Sequence, residues 1–157
     1  MKSFDKALVA FIVIILVAGI IYGYNQYNSQ KSDFASAEFG FGKWRLSNSG
    51  EDEVFISVEY SAQNPTERRI TVQNFDVVLT FTNSTGSTLI KSLSLEPSQR
   101  IERTVQIPMT DVEAQNFLRF LEDGNVHISG FVHLNFLFLE TRTPFDYDLE
   151  SGRMIFA

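Results

Sequence analysis

Between Ala7 and Tyr24 the chain reads ALVAFIVIILVAGIIYGY, with no charged residue. As a helix, this run is roughly 27 Å long, close to the ~30 Å hydrocarbon core of a bilayer. No other stretch is apolar for long enough to span. The run therefore partitions the chain into a tip (1–6), a transmembrane helix (7–24) and a large remainder on one side. Lys2 and Lys6 precede it, with Asp5 between them, and the next basic residue is Lys31. Cytoplasmic flanks carry the excess of Lys and Arg. The expectation is a single-pass protein of the cell membrane, its N-terminus cytoplasmic and its C-terminal domain extracytoplasmic. Tyr22 and Tyr24 close the run, where amphipathic rings suit the headgroup layer.

Three fates are open to such a helix. It can remain as a signal-anchor, in lasting contact with the bilayer through residues 7–24. It can be a cleaved signal peptide, since Ala35-Ser36-Ala37 has the small-x-small form of a cleavage site. That site lies well past the run, however, and the run exceeds the usual 7–15 residues of a signal-peptide core. Third, Lys6-Ala7-Leu8-Val9 resembles the processing site of archaeal type IV pilin-like proteins. That resemblance implies cleavage between Ala7 and Leu8 and a helix that becomes the core of a surface filament.

The remainder is long enough to bury one ordinary core. The chain carries a net charge of −6, the tip contributes +1, and −7 is left beyond the helix. This argues against nucleic acid as a partner and against lying flat on anionic lipid, because both are negative. Cysteine is absent, which removes thiol catalysis, disulfides and thiolate metal sites together. Fifteen Phe residues are left to build the core.

Residues 25–35 are polar and unpatterned and read as a stalk, followed by a β domain over 36–157. Glu38 to Leu46 forms a first strand, loosened by Gly40 and Gly42. Glu53 to Gln63 alternates, with Val54, Ile56, Val58, Tyr60 and Ala62 on one face. Asn64-Pro65 ends it, because Pro65 has no N–H for a ladder. Ile70 to Phe81 changes phase near Gln73-Asn74, as a bulge would. Thr88 to Leu95 and Arg100 to Ile107 follow as strands. Thr110 and Glu113 match a capping box opening a helix that presents Val112, Phe117, Phe120 and Leu121 on one face, with Gly124 as its stop. Val126 to Glu140 reads as one long strand and Pro144 to Ile155 as the last, with Phe145, Tyr147 and Leu149 packed inward.

This order resembles the late embryogenesis abundant type 2 domain, also called the water-stress and hypersensitive-response domain. The residues carrying the resemblance are Ile56-Ser57-Val58 through Asn64-Pro65, the helix Val112 to Leu121, Gly124-Asn125-Val126 through Gly130, and Pro144-Phe145, over about 36–156. It implies a mainly β fold: an antiparallel seven-stranded sandwich, similar to fibronectin type III, with one short helix. It also implies an association with desiccation and stress protection and no enzymatic residues. Bacterial and archaeal members of that family often carry a membrane anchor. The chain departs from the pattern after Asn64-Pro65, where Thr66-Glu67-Arg68-Arg69 replaces small apolar residues.

No catalytic, metal or cofactor site is expected. His127 and His133 lie six residues apart on one strand face, about 20 Å at 3.3 Å per residue, so one metal cannot take both. Asp146, Asp148 and Glu150 are spread along an extended strand rather than curled around a cation. Arg68 and Arg69, beside Glu67, are the candidate partner contacts and could grip an anionic headgroup or glycan; a protein of the envelope or membrane is the partner expected for the domain. Asn83-Ser84-Thr85 is a glycosylation sequon, which makes Asn83 a candidate acceptor. The lone Trp44 is expected over one end of the sandwich.

Overall fold

The computed structural model describes residues 3–48, 54–81, 84–122 and 126–157. Helix α1 (Ser3–Ser36) leads into β1 (Glu38–Asn48), β2 (Val54–Gln63), β3 (Ile70–Val72), β4 (Phe75–Phe81), β5 (Ser84–Ile90), β6 (Leu93–Leu95) and β7 (Arg100–Met109). Helix α2 (Asp111–Glu122) and strands β8 (His127–Phe136), β9 (Leu139–Asp148) and β10 (Arg153–Phe156) complete the order.

Eight strands form one antiparallel sheet in the order β5-β4-β8-β9-β10-β1-β2-β7, and β3 pairs with β6 as a separate ribbon. The sheet curls until its two ends meet, where Thr88 on β5 donates its hydroxyl to the Gln106 carbonyl on β7 at 3.2 Å. The result is nearly a barrel. The expected seven-stranded sandwich therefore gives way to ten strands among the described residues, most of them in one sheet. The reason is β10, a four-residue strand that pairs fully with β9 and touches β1 only at Glu38↔Arg153. It stitches β5-β4-β8-β9 to β1-β2-β7, which would otherwise be two sheets.

Alternation dictates what is inside. Val54, Ile56, Val58, Tyr60 and Ala62 are all buried, as their spacing predicts. They face Phe75, Val77, Leu79, Ile128, Val132, Leu134 and Phe145 across the interior. Gly130 is required on β8, because a Cβ there would fall 1.8 Å from the Asp76 carbonyl oxygen on β4.

Several boundaries depart from expectation. The phase change at Gln73-Asn74 is a break rather than a bulge: β3 leaves to pair with β6, and β4 joins the main sheet. The expected long strand of 126–140 is a hairpin, turning at Leu137 and Phe138. The last expected strand breaks at 149–152, where Gly152 takes φ +67°, and Leu149 is exposed rather than packed.

The capping box forms. Glu113 accepts from the Thr110 N–H at 3.0 Å and from its hydroxyl at 2.9 Å, and the Glu113 N–H donates back at 3.3 Å. These bonds, the Thr110 N–H foremost, hold the Glu113 carboxyl below the usual carboxylate range. Ala114 and Phe117 face inward, but Val112 is exposed. Trp44 packs on Phe117, ring centroids 5.1 Å apart, so it serves the α2 contact. Gly124 lies outside the described residues.

Candidate functional site

The largest correction concerns 25–35. That segment is not a free stalk but the continuation of α1, which runs unbroken from the apolar stretch into the β domain. Its docking residues recur at helical spacing. Gly23 lies against Leu137. The Tyr27 hydroxyl meets the Thr143 hydroxyl at 2.8 Å, and Gln30 Oε1 accepts the Asn135 N–H at 2.9 Å. Phe34 is fully buried among Phe39, Phe75, Phe145 and Phe156, with centroids 5.3–6.3 Å away. Positions 23, 27, 30 and 34 form one stripe, a helical signal that the polar residues between them obscure.

By contrast, the apolar half of α1 stands clear of the domain. Only 6 % of its most apolar window is buried, and it is the one candidate membrane span among the described residues. Ala7 and Leu8 are exposed on it. Ala35-Ser36-Ala37 lies at the turn into β1, where Ala37 is completely buried and the Ser36 hydroxyl donates to the Asp33 carbonyl at 2.6 Å.

The loop after β2 is organised by Asn64, itself fully buried. Its amide donates to the carbonyls of Arg68, Leu95 and Glu96 at 2.7–3.1 Å. Its Oδ1 accepts from the Thr66 N–H at 2.9 Å and the Thr66 hydroxyl at 2.7 Å. The Asn-Pro pair thus clamps the 64–69 loop onto β6. The two candidate contact residues stay largely exposed but pair within the chain: Arg68 reaches Asp33 and Ser29 on α1, and Arg69 pairs with Glu96 at 2.7 Å.

The histidines do not converge on each other, but each finds acids. His127 Nε2 lies 3.2 Å from Asp146. His133 places Nδ1 2.5 Å from Glu140 and Nε2 3.2 Å from Asp76, and Arg142 adds a 3.3 Å contact to the same Asp76 oxygen while stacking on Phe131. This cluster ties β4, β8 and β9 together on the outer sheet face. Each ring nitrogen of His133 thus faces a carboxylate. No group of three metal-ligating side chains is arranged to hold an ion among the described residues. Asp148 turns into its own loop, where the Ser151 hydroxyl and the Glu150 N–H hold its carboxyl below the usual range.

The sequence reading did not anticipate a groove of about 440 Å³ along β1, β2 and β7. Gly40 and Gly42 open it, and Lys43, Glu59, Arg100, Glu102 and Arg103 give it mixed charge. Lys43 pairs with Glu59 and Arg100 with Glu102, each at 3.3 Å. The two glycines in a strand were the available signal. Asn83 lies outside the described residues.

No family model matches the chain, and no curated protein is similar to it at a significant level. Solved structures to which the chain is similar include the following three, each at low identity. One is a crystal structure of a protein from Archaeoglobus fulgidus, with 7 % identity, 75 % of this chain and 87 % of that one covered, and a TM-score of 0.40. Another is the solution structure of "a putative late embryogenesis abundant (LEA) protein", with 13 % identity, 98 % of this chain and 88 % of that one covered, and a TM-score of 0.42. The third is the X-ray structure of a structural-genomics target, with 13 % identity, 79 % and 82 % covered, and a TM-score of 0.40.

Proposed function

We propose that this protein is a non-enzymatic, membrane-anchored module of the type 2 late embryogenesis abundant kind, holding one rigid β domain against the outer face of the cell membrane. One observation carries the reading: α1 passes without a break from an apolar, solvent-exposed half into the hydrophobic core, where Phe34 is fully buried. An anchor built this way cannot swivel freely from its domain, so the domain is held at a fixed height above the bilayer. Its acidic, hydrated surface would then make weak polar contacts with membrane or protein surfaces as water is lost. The resemblance around Asn64-Pro65, Gly130 and Pro144-Phe145 supports the stress-protection part. The N-terminus is read as cytoplasmic from Lys2 and Lys6. The test is a drying assay with the full chain reconstituted in liposomes. Solute leakage after drying and rehydration is expected to fall below that of liposomes carrying an inert membrane protein at equal mass. Equal leakage would remove the protective role.

A second reading has an observation of its own. The free half of α1 is apolar on all sides, and burial among like helices in a filament core would satisfy it as well as lipid would. Its signature is cleavage between Ala7 and Leu8.

A further inference from the structure

The turn between β8 and β9 is made of residues that a water-facing turn avoids. Phe136 and Leu139 form the last pair of the ladder, so Leu137 and Phe138 are the whole connection. Two-residue hairpins favour Asn-Gly, Asp-Gly or a leading Gly, because a positive φ is needed. Here Leu137 adopts φ 56°, a left-handed conformation that is strained for a residue with a Cβ. Phe138 is 89 % exposed and Leu139 is 55 % exposed. Water rewards neither choice.

The position of the tip supplies the reason. Leu137 packs against α1 so closely that a Cβ at Gly23 would fall 2.5 Å from its Cγ. Gly23 sits between Tyr22 and Tyr24, where the apolar run ends. Going up α1, Tyr27 meets Thr143, Gln30 meets Asn135 and Phe34 meets Phe145. From Gly23 against Leu137 at the tip to Phe34 against Phe145, which pairs with Gly130 far down the ladder, the contacts end well away from the tip, so the hairpin points toward the apolar run and its end lies level with the tyrosine belt.

We propose that Leu137, Phe138 and Leu139 enter the interfacial layer of the bilayer that α1 spans, as a second membrane contact beside the anchor. The inference rests on reading α1 as a membrane span. Lipid is the occupant because the tip is continuous with the lipid-facing helix and carries no charge. Two contacts at one depth fix the tilt of the domain, which one helix alone leaves free.

The chain has no cysteine, so single thiols can be placed at will. Phe138→Cys, Leu149→Cys and Val13→Cys are labelled with an environment-sensitive fluorophore in the full chain, reconstituted in phosphatidylcholine vesicles, and depth is read by nitroxide-lipid quenching. Phe138 and Leu149 are exposed, so neither change disturbs the core. The label at 138 is expected within about 5–10 Å of the headgroup boundary. The label at 149, at the far end of β9, stays in water, and that at 13 reports the bilayer interior. A water-exposed label at 138 with a lipid-quenched label at 13 overturns the proposal and leaves the span standing. A label at 138 shielded from water but unquenched by lipid means that a protein covers the tip, which also overturns it. An unquenched label at 13 removes the membrane span itself.

Discussion

Tyr60 shows how one atom can oppose the element that carries it. Its ring completes the buried face of β2, yet its hydroxyl is enclosed and lacks a well-formed hydrogen bond among the described residues, with only the Arg103 guanidinium beside it. Burial raises its pKa above the ordinary 10.0, although the nearby Arg103 guanidinium pulls the other way. Burying a polar group without a partner costs about 1–3 kcal/mol, so Tyr60→Phe is expected to stabilise the fold by about 1 kcal/mol in chemical denaturation. The sign of the pH effect follows from the raised pKa. The folded state favours the neutral phenol, so this contribution is complete below pH 10.0 and is lost as pH rises through the folded value. The wild-type unfolding midpoint should therefore fall at alkaline pH, and Tyr60→Phe should flatten that fall. Tyr147, raised by burial and by Asp148, keeps some of the slope in the variant, and its hydroxyl is satisfied by the Phe39 carbonyl at 2.9 Å. A Phe variant less stable than wild type would mean that the hydroxyl has a partner.

At the scale of elements, the question is what holds α1 to the domain. Two kinds of contact compete: the buried ring of Phe34, and the ion pair of Arg68 with Asp33. Removing a buried Phe costs about 3–5 kcal/mol, whereas a largely exposed ion pair contributes about 1 kcal/mol or less, and the Arg68 side chain is 66 % exposed. Phe34→Ala should thus destabilise severely and Arg68→Ala hardly at all, as read by thermal unfolding in detergent. Comparable losses would show that the loop, not the core, is the clasp. Phe34 also marks where the sequence stops being legible. β2, α2 and its capping box follow from alternation and from Thr110 and Glu113. The docked half of α1 does not, because Tyr27, Gln30 and Phe34 are spaced among polar residues that face water. The turn at Leu137 and Phe138 was equally hidden, since it lacks the Gly, Asn or Pro that marks turns. Arg68 could be singled out from its charge, but its partner on α1 could not, because that pairing depends on a tertiary contact 35 residues away.

For the molecule as a whole, the two possible processing sites differ in what they would detach. A cut at Ala35-Ser36-Ala37 would break the chain between Phe34, with the core it fills, and the strands that follow. Ala37 is also buried, so a protease would have to open the domain to reach it. A cut between Ala7 and Leu8 removes only the tip and Ala7 and leaves every described contact of the domain intact, so the fold itself raises no barrier to it. The intact mass of the protein from its native membranes separates these outcomes. The anchored reading expects a mass that retains Lys2 through Ala7, because the two lysines set the orientation and nothing in that role requires their removal. A mass beginning at Leu8 would favour the filament reading, since removing Lys2, Asp5 and Lys6 leaves a helix start with no charged side chain, suited to burial among its copies. In that case the hairpin tip at Phe138 would lie against neighbouring subunits instead of lipid.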